Sequence, residues 1–244
     1  MRPLSAAQLL DAWERGLSES RCSRTLPVLA AASPDSSAAE LAALSIGERD
    51  RWLLRLREWS FGSQLESVAR CTACGEGLEW AVNTADLFVE KEAEPATELS
   101  LEIDRYSVSF RLPKIQDVAA ISELPESNAA RQMLLERCVS SARRDGEEIS
   151  CVELPVAIVN AITRRMSEAD PQAEINVDLA CPACGHQWQA LFDIESFFWI
   201  EINAWAQRLL TEVHALAKAY GWREADILNL SPWRRKVYLD LVSA

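Results

Sequence analysis

Apolar residues recur at three- and four-residue spacing near both ends of the chain, whereas two-residue alternation appears only in its middle. Those periods predict helices at the ends and short half-buried strands between them. Ser5 can accept from the free N–H groups of a helix start; Leu9, Leu10, Trp13 and Leu17 behind it share one face, opposite Asp11, Glu14 and Arg15. The run Ala30-Ala31-Ala32-Ser33-Pro34-Asp35-Ser36-Ser37 consists of small turn residues and reads as a linker. Ser45 caps a second helix, in which Ile46, Trp52, Leu53, Leu56 and Trp59 form a broad apolar face up to Phe61-Gly62. Arg49, Arg51, Arg55 and Arg57 crowd this helix among Glu48, Asp50 and Glu58. The expectation is a solvated, ion-paired face worth ~0.2–0.5 kcal/mol per pair, with a docking surface for an acidic partner as the alternative.

In the middle, Leu78, Trp80 and Val82 alternate, and the acidic stretch Glu90 to Glu98 with Pro95 reads as an exposed connection. Tyr106, Val108 and Phe110 form a half-buried strand stopped by Pro113. A mostly helical insertion follows. One helix turns Leu134, Leu135, Cys138 and Val139 inward, and another, opened by Pro155, carries Val156, Ile158, Val159 and Ile162. Asp170-Pro171 ends that helix, and Ile175 to Leu179 alternates as a strand. The longest helical pattern runs from Ile194 to Tyr220, with Gly221 placed to end it. Two short helices follow, at Ala225 to Leu230 and after Ser231-Pro232, the second with Trp233, Val237, Tyr238 and Leu241 at its apolar positions.

Cysteine spacing changes this picture most. Cys71-Thr72-Ala73-Cys74-Gly75 is repeated, 110 residues on, as Cys181-Pro182-Ala183-Cys184-Gly185, and Phe88 matches Phe198 at the same offset. Two cysteines two apart with a following glycine form a knuckle whose turn aims both thiolates at one point. Each knuckle supplies two ligands, and a closed structural site takes four, so Cys71, Cys74, Cys181 and Cys184 are expected to share one zinc. A redox dithiol is the alternative; it would open a helix in a βαβ unit, whereas these pairs precede alternating apolar residues. The long connection between the pairs adds only ~2 kcal/mol of loop-closure entropy, against ~10–16 kcal/mol for zinc in small ribbons. The expected fold class is therefore α+β, mainly helical, with helices around a small zinc ribbon formed by two distant C-x-x-C-G knuckles. Three regions are expected: an N-terminal helical region over 1–62, a split ribbon over 63–193 with its insertion at about 99–170, and C-terminal helices over 194–244.

The chain has 244 residues, 49% hydrophobic and 25% charged, enough for a proper core without depending on the metal alone. A formal charge of −12 lacks the basic footprint of a nucleic-acid binder and favours protein partners. No signal peptide and no uncharged stretch of the ~20 residues needed to span a membrane is visible, so a cytoplasmic location is expected, with Cys22, Cys138 and Cys151 as reduced thiols. His186 and His214 are the only histidines. Neither stands in a nucleophile–base pattern, His186 is expected to point to solvent, and a four-thiolate metal leaves no open position for water, so an enzyme is not expected.

His214 through Leu241 contains Tyr220-Gly221-Trp222, the spacing Glu224, Asp226, Ile227, Leu228, then Arg234-Arg235 and Tyr238-Leu239. This stretch resembles the T-even phage-type baseplate hub assembly chaperone family, whose members also occur in gene clusters for contractile injection systems. The likeness extends upstream through Trp13-Glu14-Arg15-Gly16, Phe61-Gly62, Arg111-Leu112-Pro113 with Asp117, and Asp170-Pro171. Arg223 departs from it, standing where a small polar residue is expected, and the zinc expectation rests on cysteine spacing alone. The resemblance implies a factor that helps to build the hub of a contractile phage tail or phage-tail-like injection system, with hub or spike proteins as partners. Docking is expected through Trp222, Arg234, Arg235 and Tyr238, aromatic anchors beside guanidinium forks; the alternative is that Trp222 and Tyr238 only pack the terminal helices together. The competing functions are a structural baseplate subunit and, from another class, a zinc-ribbon nucleic-acid module.

Overall fold

The computed structural model describes residues 1–89, 98–122, 124 and 127–243; most of the acidic Glu90 to Glu98 stretch lies outside these. In chain order the helices and strands are α1 (Ala6–Gly16), α2 (Leu26–Ala32), α3 (Ala38–Ala42), α4 (Ile46–Phe61), β1 (Gln64–Arg70), β2 (Gly77–Asn83), α5 (Thr84–Leu87), β3 (Leu99–Ile103), β4 (Tyr106–Phe110), α6 (Ile115–Ile121) and α7 (Ser127–Cys138). There follow β5 (Val139–Arg144), β6 (Glu147–Glu148), α8 (Val156–Ala169), β7 (Asn176–Ala180), β8 (Gln187–Leu191), α9 (Ile194–Tyr220), α10 (Glu224–Leu228) and α11 (Pro232–Ser243). The fold is α+β with small sheets. The chain divides into two compact units, Met1–Ser37 with Glu195–Ala244, and Ala38–Ile194. The division at Ser37 and Ile194 groups α4 with the knuckle-bearing unit and not with α1.

In the first unit, Ser5 and Gln8 form a reciprocal cap: the Gln8 N–H donates to Ser5 Oγ (3.3 Å) and the Ser5 N–H to Gln8 Oε1 (3.0 Å). Gly16 lets α1 lie close to α9, because a Cβ there would stand 2.5 Å from the Trp199 ring. Trp13 Nε1 donates to Asn203 Oδ1 at 3.1 Å across the same pair. Leu10, Ala206, Leu209, Val213, Leu216 and Ile227 form the core. Leu17, expected inside, is 54% exposed. The expected linker begins too early: Ala30–Ala32 complete α2, which Pro27 opens, and irregular chain starts at Ser33.

The second unit begins its main helix with another reciprocal cap, Ser45 with Glu48. The arginine-rich face of α4 is not the solvated one expected. Arg49 and Arg57 are buried, Arg49 Nε donating to Asp50 Oδ1 at 2.7 Å and Arg57 Nη1 to the Gly62 carbonyl at 2.8 Å. Arg51 Nη2 donates to the Val89 carbonyl at 2.6 Å. Arg55 alone of the four is exposed, between Glu58 and the face of Phe88.

The insertion carries more strand than expected. An antiparallel sheet of order β3-β4-β5-β6 packs Val108, Phe110 and Ala142 against Leu135, Ile158 and Ile162. The helix expected to run through Val139 stops at Cys138, and Val139 starts β5. Asp117 is completely buried: Arg111 donates to both of its oxygens, Arg137 Nε to one (2.9 Å) and the Lys114 N–H to the other (3.0 Å). The Arg111-Leu112-Pro113 and Asp117 positions are thus joined in one structural clamp.

Candidate metal centre

The cysteines sit in two β-hairpins that are copies of one another. β1 pairs with β2 and β7 with β8, in the same register: Glu66 faces Ala81, Asn176 faces Leu191, and an offset of 110 carries one pair onto the other. The turns repeat bond for bond. The Cys71 N–H donates to the Glu76 carbonyl and the Cys181 N–H to the His186 carbonyl, both at 2.8 Å; the Gly75 and Gly185 N–H groups donate to the Cys71 and Cys181 carbonyls, both at 2.9 Å. Gly75 and Gly185 have φ of +77° and +72°, and nothing lies near where a Cβ would go, so the turn demands glycine for its backbone and not for space. The strand before the first knuckle was not legible, since Gln64 to Arg70 buries only Leu65.

The two turns meet at their cysteines. Cys71 Sγ is 3.7 Å from Cys184 Sγ and Cys74 Sγ 3.6 Å from Cys181 Sγ, and all four sulfurs lie within 4.8 Å of one another. Four thiolates about 2.3 Å from one tetrahedral ion stand about 3.8 Å apart, whereas a disulfide needs about 2.05 Å. The spacing fits a four-thiolate metal site, and all seven cysteines are free of disulfides. Cys71 and Cys181 are buried and Cys74 and Cys184 exposed, so each hairpin contributes one inner and one outer ligand.

Backbone N–H groups and neighbouring sulfurs act on the thiols in different directions. The Cys74 backbone N–H, followed by that of Ala73, holds the Cys71 thiol down to about 6. Glu76's N–H pulls Cys74 in the same direction, but Cys184, burial and the other two sulfurs outweigh it and push Cys74 up to about 12. Ionising one thiol therefore opposes ionising its neighbour, and a divalent cation removes that conflict.

His186 is not simply turned to solvent. It is half-buried, its Nε2 lies 3.0 Å from Thr72 Oγ1 on the opposite knuckle, and its ring stacks on Trp188. This contact ties the turns together beside the sulfurs without joining the ligand set. Gln172 holds the chain beyond the first hairpin, accepting from the Val89 N–H at 2.9 Å and donating to the Leu87 carbonyl at 3.0 Å.

The four expected docking residues are placed differently. Trp222 stacks on Tyr220 at 4.7 Å between ring centroids and meets Tyr238 edge-on at 4.9 Å, so these aromatics join α9 to the terminal helices. Arg235 is buried, with Nε on Glu212 Oε2 at 3.1 Å and Nη1 on the Leu230 carbonyl at 2.8 Å. Arg234 is exposed. Trp233 and Leu241, two of the apolar positions expected on the last helix, are 73% and 63% exposed.

An apolar cavity of about 490 Å³ in the second unit is lined by Leu134, Val159, Met166 and Leu191 among others. Its Asp170 is engaged by the Gly47 N–H at 2.8 Å, and neither histidine reaches it. No helix among the described residues is long and apolar enough to cross a membrane.

A family model described as T4 bacteriophage base plate protein matches residues 26–199, more than two thirds of the chain and the whole of the knuckle-bearing unit. No curated protein and no solved structure matches the chain.

Proposed function

The chain belongs to the T4 bacteriophage base plate protein family, and from that premise we propose that it is an assembly factor for the baseplate hub of a contractile phage tail or phage-tail-like injection system. It acts by docking on hub or spike proteins, not by catalysis. The observation that carries the baseplate reading is the family match; the C-terminal resemblance, beyond the matched residues, brings in the assembly chaperone, and the comparison with finished particles separates it from a permanent subunit.

The four clustered thiolates hold one structural zinc through Cys71, Cys74, Cys181 and Cys184. When bound, the ion supplies a closed cross-link between the hairpins and no open coordination position. Docking uses the C-terminal helices. Trp222, Arg235 and Tyr238 hold α10 and α11 rigidly on α9, and exposed Arg234 beside Tyr238 meets the partner. A rigid guanidinium beside a half-covered aromatic ring is a common interface anchor.

The test is to tag the chain in its native host and compare proteins captured from lysate with those in purified contractile particles. Hub or spike components in the capture, with this chain missing from particles, is the expected result. Fixed stoichiometric presence in particles would make it a structural subunit, and absence from both would end the baseplate reading. Arg234→Glu should weaken the capture while leaving the fold intact; Arg235→Glu would also disturb folding and is the poorer probe.

A further inference from the structure

Two cations between α1 and α2 have no carboxylate to balance them. The chain there makes two tight turns in succession: the Ser23 N–H donates to the Ser20 carbonyl at 2.9 Å and the Leu26 N–H to the Ser23 carbonyl at 3.0 Å. Arg21 and Arg24 take the same place, the second, in these turns, and both line one pocket of about 230 Å³ in the first unit. Its other side is Glu195, Ser196, Trp199 and Ile200 at the start of α9. Arg21 is exposed and Arg24 half-buried. Among the described residues neither guanidinium forms an ion pair, with Glu19 of the same loop or with any other carboxylate.

The pocket is held in shape by the residues around it. A Cβ at Gly16 would stand 2.6 Å from the Arg24 carbonyl oxygen and 2.5 Å from the Trp199 ring, so only glycine lets the turn and α9 close together on α1. The Arg24 guanidinium lies over Trp199, 5.9 Å from the ring centroid. Thr25 Oγ1 donates to Glu195 Oε1 at 3.1 Å, and both residues are buried. That carboxylate is engaged, and the two guanidiniums outnumber it, so the pocket keeps a net positive charge. The unit around it is neutral: Met1–Ser37 with Glu195–Ala244 hold ten of the 25 Lys and Arg and ten of the 37 Asp and Glu, and the −12 belongs wholly to the other unit.

We propose that this pocket docks an acidic segment of a partner protein, with carboxylates on Arg21 and Arg24 and an apolar side chain on Ile200. Guanidinium forks match carboxylates in shape and charge, and a turn already fixed on Trp199 loses little freedom on binding. Ile200 is 67% exposed at the same pocket; a small inorganic anion would leave it in water, whereas a peptide can cover it. Nucleic acid is disfavoured because two cations are far from a basic stripe that tracks a phosphate backbone. The pocket lies apart from the C-terminal docking edge, so the proposal does not depend on the hub reading and is tested on the purified protein alone.

Isothermal titration calorimetry with a synthetic peptide carrying one leucine between two glutamates, flanked by glycines, should show saturable binding that weakens as salt is raised. The same peptide with glutamines in place of glutamates should not bind. Arg21→Glu should weaken binding by about tenfold or more, because an anchoring cation becomes a repelling charge. Arg24→Ala should do likewise, with Arg24→Lys in between, and Ile200→Ser should cost a few-fold. Arg21 and Ile200 are on the surface, so circular dichroism should show their variants folded even where Arg24→Ala is not. No saturable binding, equal binding of the glutamine peptide, or binding indifferent to Arg21→Glu would each overturn the proposal. Inorganic phosphate that binds as tightly as the peptide and displaces it would make this a small-anion site, and also overturn it.

Discussion

Replacing Asp117 with asparagine tests the clamp that holds the inserted sheet to its helices. The Asp117 carboxylate is fully buried and receives four N–H groups, two on each oxygen: Arg111 Nη2 and Arg137 Nε on Oδ1, and Arg111 Nη1 and the Lys114 N–H on Oδ2. An amide of the same shape turns one oxygen into a donor, so whichever way it is oriented two donors face an NH₂ group. Two charge-assisted hydrogen bonds, or one with a backbone bond, disappear along with the charge that balanced two guanidinium groups. Removing one partner of a buried ion pair costs about 3–5 kcal/mol. Arg111 and Arg137 keep 27% and 39% of their side-chain exposure and can rehydrate, which places Asp117→Asn near the low end, about 3 kcal/mol. Urea denaturation near neutral pH measures this, with Arg137→Ala as a milder reference. Burial alone would raise the Asp117 carboxyl, but Arg111, the Lys114 N–H and Arg137 outweigh it and hold it below its ordinary value. The native pKa therefore lies below the unfolded one, so the stabilisation is complete at neutral pH and is lost as pH falls below about 4 and through the native value. Wild type and variant should converge in acid. A loss under about 1 kcal/mol at neutral pH, or a gap that persists undiminished once the native carboxyl is protonated, would refute the reasoning.

Metal analysis of reduced, carefully purified protein should find one zinc per chain, lost on Cys71→Ser or Cys181→Ser, with chelators lowering the melting temperature of the wild type; no metal in the wild type would defeat the proposed centre. Asp50 behaves oppositely to Asp117: burial, which outweighs Arg49 and is reinforced by Asp193 and Asp170, pushes it up to about 6. Its native pKa exceeds the unfolded one, so stability should decline by roughly 3 kcal/mol as pH rises from about 4 to 6, a slope that Asp50→Asn should abolish in a pH series of urea midpoints. Gly47→Ala should cost about 2–4 kcal/mol by thermal or urea melting, because its Cβ would stand 1.9 Å from Asp170 Oδ1 and displace the carboxylate that caps α4.

What could be read from the chain tracks how local each cause is. The caps at Ser5 and Ser45, the span Ile194–Tyr220 and the cysteine turns are decided by side chains a few residues apart, and each was visible as spacing. The burial of Arg49 and Arg57 was not: their partners, Asp50 and the Gly62 carbonyl, are near in sequence, but burial of α4 also depends on chain packed against it from far away, such as Pro171–Ala173. Strands β5 and β6 were missed since only Ala142 among their residues is buried and β6 has two residues. A signal was present all the same: Asp145-Gly146, with φ of +53° and +87°, is the tight hairpin turn that this dipeptide favours. The exposed Trp233 could not be told from a core residue, because periodicity reports that a helix has an apolar face and is silent on what covers it.

The paired hairpins also set a timetable for synthesis. Cys74 and Cys181 are 107 residues apart, which at about 5–20 residues per second is a delay of roughly 5–20 s between the first two ligands leaving the ribosome and the arrival of the third. Throughout that interval the first knuckle is a two-thiolate site, able to hold an ion loosely and to give it up. The intervening sheet and helices are made and can pack during the wait. The proposed zinc would then be the last piece of that unit to lock, closing a segment that has already folded, and its shortage would be felt as a nascent chain left unfastened and not as one unable to start.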